Sequence, residues 1–388
     1  MTMRSRHRPS RTFALVTGGG TAGHVQPALA IGEALVARGH DPTSILYVGS
    51  LRGMEGRLVP EAGFEVALLP GRGIQRRFTT DNLGAVGGLL IACMLALGIV
   101  GRRRPRVVVT VGGYAGLPCS LAAIVLRVPL VVVSCDAVAG ASNRLVARFA
   151  RKCAVAFEGT QLPNQVVTGA PLRSAVLATD RSPQSRNAAR HALAVTGGRF
   201  LLAVEGGSLG ARRLNQATLG LAKSWASRGD VTIIHVAGER NFALLEHEAA
   251  GLGLGPHSSP ETGLDYRLVG YEHRMPRLLA ACDLAVCRAG ALTVAELAAI
   301  GTPSILVPLP HAPNDHQTRN AEALTKVGAA RLCPDDDCSP ERLEELVGSL
   351  LGDPQRLASM GAVAAVAGHR DASERVAELV ESVSQVPS

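Results

Sequence analysis

A chain of 388 residues is long enough to form two domains that each bury a hydrophobic core. Hydrophobic residues make up 47% and aromatic residues only 3%, which excludes disorder over most of the length and leaves too few rings to stack nucleobases, so we predict no nucleic-acid partner. Lys and Arg outnumber Asp and Glu by 40 to 32, which indicates phosphate-bearing partners without choosing among them.

The first residues, 1–11, are basic and lack the apolar core and cleavage site of a signal peptide, so we predict a disordered tail. None of the eight cysteines forms a CxxC pair, and several lie in apolar runs, which favours a reduced, cytoplasmic setting. From residue 12 onward, strand-like apolar runs end in glycine-rich turns and give way to helical patterns. The runs predict strands at Phe13 to Thr17, Ile45 to Val48, Val107 to Val111, Leu130 to Val133, and Val166 to Val167.

The stretch between Asp81 and Arg102 holds 20 uncharged residues and superficially resembles a membrane span with positive flanks. Its five glycines, and the buried strand that follows it, favour a helix packed on the sheet with one end exposed. The arginines of 71–106, together with apolar neighbours, predict a surface that binds an anionic membrane; a solvated basic face is the alternative. The apolar members are Ile74, Phe78 and Leu83.

A charged, strand-poor segment at 173–198 predicts a linker after a first domain of 12–172. The pattern then restarts in a second domain of 199–388, whose last helix is able to pack back on the first domain. Its predicted strands are Phe200 to Val204, Thr232 to Val236, Tyr266 to Val269, Leu284 to Cys287, Ser304 to Pro308, and Ala330 to Cys333. We therefore predict an α/β protein of two doubly wound, Rossmann-like domains that face a cleft.

The first glycine loop, GGGTAGH at 18–24, follows a strand and opens a helix. It contains GxGxxG, but a nicotinamide site also needs an acidic residue after the second strand, where this chain has Gly49 and Ser50. A P-loop would need Lys in place of His24. The loop is predicted to bring backbone amides and an imidazole next to a ligand, and simple packing of helix on strand is the alternative.

Two more glycine loops lie in the second half. GGSLGA at 206–211 offers amides and Ser208 to a phosphate. CRAGALT at 287–293 opens a helix on which Thr293 suits a diphosphate and Glu296 can accept both hydroxyls of a ribose, unless Glu296 is only a solvated charge. The polar run at 315–320 suits the hydroxyls of a sugar. We interpret the acidic triplet at 335–337 as part of a helix start and not as a metal site.

Seven segments resemble the MurG family, in the order in which that family carries them: GGGTAGHVQPALA, VGGYAGLP, AVAGASNR, GAPLR, GGSLGARRLNQ, CRAGALTVAEL and DHQTRNA. The family transfers N-acetylglucosamine from UDP-N-acetylglucosamine to lipid I, giving lipid II for peptidoglycan. The resemblance implies a GT-B fold and an inverting reaction, without metal or cofactor, in which the acceptor's C4 hydroxyl displaces UDP. It also implies a peripheral protein on the cytoplasmic face of the cell membrane, with a UDP-sugar, a lipid-linked acceptor and an anionic membrane surface as partners.

The resemblance further implies roles for single residues. On the donor side, it places Ser208, Leu292 and Thr293 at the diphosphate, Glu296 at the ribose, Gln317 and His316 at the sugar, Arg173 near the nucleotide, and Asn215 in support of the second loop. On the acceptor side, it places Thr21, Ala22, Gly23, His24 and Tyr114. An imidazole has a pKa close to working pH, so His24 is the first choice of general base.

The chain departs from the family pattern before AVAG, where the family usually has His-Glu-Gln-Asn. This chain has Val133-Ser134-Cys135-Asp136, which removes one carboxylate and exchanges an amide for Asp136. The donor loops are kept while the acceptor side is altered. Three interpretations stay open: Asp136 acts as the base, the chain is a paralogue with another lipid or metabolite as acceptor, or it is a weakly catalytic UDP-sugar-binding partner protein.

Overall fold

The computed structural model describes residues 12–70, 81–207, 210–255 and 263–385, except for the side chains of 81–86. The predicted tail at 1–11 lies outside these residues, and so do Ile74, Phe78 and the side chain of Leu83. By its contacts the chain forms two compact units, one of residues 1–173 and 371–388 and the other of residues 174–370. Each unit is built on one parallel sheet.

The first unit has a seven-stranded sheet in the order β3-β2-β1-β4-β5-β6-β7. The strands are β1 (Ala14–Gly19), β2 (Ile45–Ser50), β3 (Glu65–Leu69), β4 (Val107–Gly112), β5 (Leu130–Ser134), β6 (Lys152–Val155) and β7 (Gln165–Val167). The apolar pattern predicts five of them and misses β3 and β6. Strand β3 forms an edge of the sheet and is largely unburied, while β6 is short and begins with an exposed lysine, so neither presents a long apolar run.

Five helices follow strands of this sheet within the first 150 residues. They are α1 (Ala22–Ala37), α2 (Glu55–Glu61), α3 (Asp81–Arg103), α4 (Gly113–Val125) and α5 (Ala141–Ala147). Helix α3 packs against α4 and β3, which confirms the helix predicted between Asp81 and Arg102. Within the described part of the chain, no helix combines the length and the apolar character needed to cross a membrane.

The second unit has a six-stranded sheet in the order β10-β9-β8-β11-β12-β13, and all six strands were predicted. They are β8 (Phe200–Glu205), β9 (Val231–Val236), β10 (Asp265–Val269), β11 (Leu284–Cys287), β12 (Ser304–Leu306) and β13 (Ala330–Leu332). Its helices are α6 (Ser174–Leu177), α7 (Pro183–Ala192), α8 (Arg212–Ser224), α9 (Glu239–Gly251), α10 (Met275–Ala281), α11 (Ala291–Ile300), α12 (His316–Thr325), α13 (Pro340–Leu351) and α14 (Pro354–Ala367). Helices α6 and α7 occupy the segment predicted as a linker and pack on α11 and α10.

The last helix, α15 (Ala372–Ser384), belongs to the first unit and packs on α1 and on strands β4, β5 and β6. The Ser373 hydroxyl donates to the carbonyl of Leu172 at 2.8 Å and accepts that residue's N–H at 2.9 Å. Arg38 pairs with Glu381 at 2.9 Å, and this contact lowers the pKa of the Glu381 carboxyl. The chain thus returns to its first unit to complete it.

Both sheets have a point at which the strand order reverses direction. In the first unit it lies between β1 and β4, and in the second between β8 and β11. Loops that leave the carboxyl ends of such neighbouring strands diverge and leave a crevice, where ligands of open α/β sheets bind. The glycine loops follow these four strands, so the fold places them at the two switch points.

Candidate functional site

The loop after β1 is organised by a buried carboxylate on α2. Glu55 is only 2% exposed and accepts the N–H of Gly20 at 2.7 Å and that of Ser50 at 3.2 Å. A Cβ atom at Gly19 would lie 1.6 Å from Glu55 Oε1, and one at Gly53 would lie 1.7 Å from Oε2. A side chain at either position would therefore have to displace the carboxylate that holds the loop.

The N-terminus of α1 carries the predicted acceptor-side residues Thr21, Ala22, Gly23 and His24. The Thr21 hydroxyl lies 3.0 Å from His24 Nδ1. The pKa of His24 is lowered from 6.5 because burial disfavours the imidazolium, and the charges of Asp136 and Glu55 offset part of that effect. Asp136 follows β5, so the structure brings the two predicted catalytic residues within electrostatic reach, with His24 neutral at physiological pH.

The loop after β4 packs directly on the loop after β1. Gly112 and Gly113 have φ values of 95° and 77°, and a Cβ atom at Gly113 would lie 2.3 Å from the carbonyl oxygen of Gly19. This close approach explains two consecutive glycines at the strand end. The next residue, Tyr114, donates its hydroxyl to the carbonyl of Pro70 at 3.1 Å, and burial raises its pKa.

In the second unit, a carboxylate again lies at the end of a central strand. Glu205 is the last residue of β8 and accepts the N–H of Gly207 at 2.9 Å and the hydroxyl of Thr293 at 3.4 Å. Burial raises the pKa of Glu205, and these two hydrogen bonds partly counter the increase. Glu205 pairs in register with Cys287 of β11, so the second and third glycine loops start side by side. Ser208 lies outside the described residues.

Helix α11 points its N-terminus at the same place. Gly290 is its N-cap, Leu292 and Thr293 lie in its first turn, and Glu296 lies about one turn further on. Burial, with a smaller effect from the charge of Glu205, raises the pKa of Glu296 to about 8. The amide groups of a helix N-terminus favour negative charge, so this end of α11 suits an anionic ligand. With a pKa of about 8, the Glu296 carboxyl is mostly protonated at neutral pH.

Gln317 joins two loops of this cluster. Its Oε1 atom accepts the N–H of Ala289 at 3.2 Å and that of Leu309 at 2.9 Å, which leaves its NH₂ group for other partners. Next to it, His316 donates Nδ1–H to the carbonyl of Pro313 at 2.9 Å, so its Nε2 is an acceptor when the ring is neutral. Both predicted sugar-side residues thus start α12 beside the third loop.

The turn before α12 has an unusual backbone. His311, Asn314 and Asp315 all adopt left-handed conformations, with φ values of 56°, 55° and 52°. Residues other than glycine rarely adopt this region, and such strain concentrates in ligand-binding loops. The turn holds three of the seven non-glycine residues with positive φ among the described residues.

Asn215 holds the start of α8 against the sheet. Its Nδ2 group donates to the carbonyl of Ala237 at 3.0 Å, so its Oδ1 accepts Nε2–H of His235 at 3.0 Å. The other nitrogen of that ring, Nδ1, then accepts the hydroxyl of Tyr266 at 2.8 Å. Burial lowers the pKa of His235 to about 3, so a neutral, fully bonded network lies beneath the second loop.

Arg173 has its described partners on the first helix of the chain. It is the last residue of the first unit's main segment, and its guanidinium pairs with Glu33 and donates to Gln26 Oε1 at 3.1 Å, both on α1.

The first residue of the acidic triplet, Asp335, holds an arginine at the start of the third loop. Asp335 is buried and pairs with Arg288 at 2.6 Å and with Arg213 at 3.3 Å. The expected capping role at the next helix is wrong, because Ser339 caps α13 by accepting the N–H of Arg342 at 3.1 Å. Arg288 immediately follows β11, so Asp335 fixes the residue from which the third loop begins.

Glu55 and Glu205 are not among the residues predicted from the sequence. Glu55 lies in the glycine-rich turn GSLRGMEG, and Glu205 directly precedes Gly206 at the end of a buried strand. A carboxylate at the carboxyl end of a parallel strand lies at the ligand-binding edge, and that position was the available signal for Glu205. The partners of both residues are distant in sequence, so their hydrogen bonds could not be predicted.

Comparison with known proteins gives family matches in both units. The model of the glycosyltransferase family 28 N-terminal domain matches residues 14–155, and that of the glycosyltransferase family 28 C-terminal domain matches residues 201–376. Together these matches include the loops after β1, β4, β8 and β11.

Individual relatives match over nearly the whole length. The chain is 40% identical, over 95% of its length and 97% of the relative's, to the UDP-N-acetylglucosamine–N-acetylmuramyl-(pentapeptide) pyrophosphoryl-undecaprenol N-acetylglucosamine transferase of Acidothermus cellulolyticus. A transferase of the same name from Nocardioides is 40% identical over 94% of this chain and 96% of the relative. The crystal structure of MurG from Acinetobacter baumannii superposes with a TM-score of 0.71 at 27% identity, covering 95% of this chain and 99% of that one. The chain therefore belongs to the MurG family of glycosyltransferases, and its two Rossmann-like domains have the GT-B fold.

Proposed function

We propose that this protein transfers N-acetylglucosamine from UDP-N-acetylglucosamine to the C4 hydroxyl of lipid I, forming lipid II for peptidoglycan synthesis. The observation that carries the proposal is the 40% identity, over 95% of the chain, to a transferase whose name states that donor and an N-acetylmuramyl-(pentapeptide) pyrophosphoryl-undecaprenol acceptor. The glycine loops at both switch points support it, because each provides backbone N–H groups for a phosphorylated ligand.

In this proposal the donor lies against the second unit. The N-terminus of α11, Thr293, Leu292 and the amides of the second loop stabilise the diphosphate as it leaves with UDP, without requiring a metal. Glu296 accepts the ribose hydroxyls, and because these hydrogen bonds favour the carboxylate, ribose binding releases the proton that Glu296 holds in the free protein. The remaining donor-side residues are Ser208 at the diphosphate, Gln317 and His316 at the sugar, and Arg173 on the nucleotide side.

The acceptor and the base lie on the first unit. His24 is the proposed general base, because its lowered pKa keeps the imidazole neutral and able to take the C4 hydroxyl proton. A hydroxyl both donates and accepts, so Thr21 can match either tautomer of the ring. The charge of Asp136 favours the imidazolium that forms, which makes Asp136 a partner of the base. Tyr114 and the turn of Ala22 and Gly23 line this side.

We also propose that the first unit binds the cytoplasmic face of the cell membrane as a peripheral protein. One face of α3 exposes large apolar side chains, with Leu90 62% and Met94 67% exposed. The same helix ends in Arg102 and Arg103. Apolar side chains next to basic ones bind an anionic leaflet by combined burial and charge attraction, and a lipid-linked acceptor is found at that surface.

The test is transfer of radiolabelled N-acetylglucosamine from its UDP donor to a short-chain lipid I analogue, without added metal. We expect labelled lipid II, and we expect His24→Ala to lower turnover by about 10²- to 10⁴-fold while donor affinity is retained. Tight binding of the UDP-sugar by the unaltered protein, with no product on lipid I, would contradict the proposed acceptor. Full activity of His24→Ala would contradict only the choice of base.

A further inference from the structure

Glu205 places a carboxylate on groups that the proposed function assigns to the donor diphosphate. Its two oxygens accept the N–H of Gly207 at 2.9 Å and the hydroxyl of Thr293 at 3.4 Å. The N–H groups of a glycine turn and a hydroxyl at a helix N-terminus are the donors that usually hold phosphate oxygens. A carboxylate that accepts from both resembles a phosphate in charge and in hydrogen bonding.

Within the described residues, no positively charged group is among those that shift the pKa of Glu205. The titratable and charged groups on the neighbouring elements are Cys287 of β11, Arg288 after it, Glu296 of α11, His235 of β9, and Arg212, Arg213 and Lys223 of α8. Arg288 and Arg213 both pair with Asp335. Burial keeps Cys287 and His235 neutral by raising the pKa of the thiol and lowering that of the imidazole. An entering diphosphate therefore meets a like charge wherever Glu205 is ionised.

We propose that Glu205 is an internal competitor for the donor diphosphate, and that UDP-sugar binds when Glu205 becomes the neutral acid and releases these hydrogen-bond donors. The inference rests on the proposed function and deepens it, because it concerns the same donor site. A neutral Glu205 also gains an O–H donor that can serve a phosphate oxygen. When UDP leaves, the carboxylate re-forms its bonds to Gly207 and Thr293, which favours product release.

The sign of the pH dependence follows from the direction of the shift. Burial already raises the pKa of Glu205 above 4.5, and a bound diphosphate raises it further, so binding takes up a proton. Affinity for the diphosphate part of the donor then falls as pH rises above the Glu205 pKa of the free protein. The fall is about tenfold per pH unit as long as the bound form stays protonated.

The test compares UDP-N-acetylglucosamine with uridine by isothermal titration calorimetry on the full chain, at steps of about one pH unit from about pH 5 to about pH 9. Both ligands carry the ribose that is proposed to contact Glu296, so the ratio of their affinities reports the diphosphate together with the sugar attached to it. The UDP-sugar has no phosphate group that titrates near neutral pH. The variants are Glu205→Gln and Glu205→Val, and the matched control is Glu246→Gln, an exposed carboxylate on α9 of the same unit.

We expect both Glu205 variants to flatten the pH dependence of the affinity ratio. One pH unit above the point at which the ratio of the unaltered chain starts to fall, their ratio should be about tenfold higher, with no change in the control. An unchanged or lowered ratio in both variants would show that the carboxylate supports the loop, and would overturn the proposal. A gain with Gln but not with Val would assign the effect to the new amide donor and overturn it too. The same holds if Mg²⁺ raises donor affinity only while Glu205 is present, since the carboxylate would then be a cation ligand.

The proposed function itself fails at a different point. If the unaltered protein binds neither uridine nor UDP-N-acetylglucosamine, the donor site is wrong, and the role of Glu205 is wrong with it. Uridine could instead bind equally well to the unaltered protein and to both Glu205 variants, with the same affinity ratio in all three. The donor site would then stand, and only the competitor role of Glu205 would be contradicted.

Discussion

At the scale of single residues, the two units use the same device. A buried or partly buried carboxylate accepts hydrogen bonds from a glycine loop at a switch point: Glu55 beneath the loop after β1, and Glu205 beneath the loop after β8. In the first unit a side chain at Gly19 or Gly53 would displace the carboxylate. In the second it bonds to groups that the donor needs. Glu55 thus shapes the loop of the first unit, whereas Glu205 is proposed to compete with the donor for the loop of the second.

The pairing of His24 with Asp136 gives a prediction about the acid limb of catalysis. The charge of Asp136 raises the pKa of His24, so Asp136→Asn lowers that pKa below its already lowered value. Because the base must be unprotonated, we expect the acid limb of kcat/KM to move to lower pH in the variant. The measurement is the pH profile of lipid II formation. An acid limb that does not move, or that moves to higher pH, would rule out His24 as the group whose protonation causes that limb.

The neutral His235 predicts an acid-sensitive second unit. Its folded pKa of about 3 lies below the ordinary value of 6.5, so the unfolded chain takes up a proton that the folded unit cannot. We expect His235 to lower the free energy of unfolding by about 1.4 kcal/mol for each pH unit below 6.5. Above pH 6.5 the imidazole is neutral in both states, and His235 causes no pH dependence. The measurement is urea unfolding followed by the fluorescence of Trp225, the only tryptophan in the sequence.

The control for this prediction is His235→Gln. The variant is less stable at neutral pH, because Asn215 and Tyr266 lose hydrogen-bond partners. Its stability should nevertheless depend less steeply on pH than that of the unaltered chain. Equal slopes in both proteins would contradict a buried, neutral imidazole.

At the scale of elements, α3 shows what sequence can and cannot predict. Its length and its packing on the sheet follow from 20 uncharged residues that lead into a buried strand. Which face remains exposed could not be predicted, since nearly every position is apolar and no polar stripe marks the outer side. The structure assigns the exposed face to Leu90, Ile91, Met94, Leu95 and Leu97.

That face predicts the strength of vesicle binding. Leu90→Glu and Met94→Glu place charges on positions already more than half exposed, so folding should be unaffected. We expect each to weaken binding to phosphatidylglycerol vesicles by at least about tenfold. A tenfold loss corresponds to about 1.4 kcal/mol, and burial of one Leu or Met side chain in the membrane contributes more than that. Sedimentation with vesicles measures the effect. The matched control is Val366→Glu on α14, where the side chain is 88% exposed. Equal losses in all three variants would contradict a membrane face on α3.

Burial alone did not decide which strands could be predicted, since β7 was predicted although none of its residues is buried, and β6 was missed although three of its four residues are. All six strands of the second sheet carry apolar runs long enough to be recognised, whereas β3 and β6 of the first sheet do not. The glycine loops and the start of α11 could also be predicted, because turn chemistry is local. The left-handed conformations of Asn314 and Asp315 could not, since neither residue type requires them.

At the scale of the whole molecule, the units differ in how the chain builds them. The second is one continuous segment, 174–370, while the first needs two segments that are far apart in sequence. Helix α15 completes the first unit by burying Val376, Ala377 and Val380, and by the pairing of Glu381 with Arg38. The stability of the first unit therefore depends on the last residues of the chain.

Truncation after Arg370 tests this dependence. We expect faster amide exchange in β4 and β5, because α15 packs on both strands and its removal exposes apolar surface. Unfolding followed by Trp225, which is 4% exposed in the core of the second unit, should keep its midpoint. Uridine binding should also be retained. If the unfolding midpoint reported by Trp225 falls while amide exchange in β4 is unchanged, the assignment of α15 to the first unit is contradicted.

The return of the chain through α15 also sets an order of events during synthesis. The second unit can fold as soon as residue 370 has left the ribosome, whereas the first, although made earlier, lacks α15 until residues 372–384 have been translated. A nascent chain thus exposes the surface beneath α15 throughout synthesis of the second unit. Products of premature termination within the last helix would carry an incomplete first unit, with the apolar surface that quality-control proteases recognise.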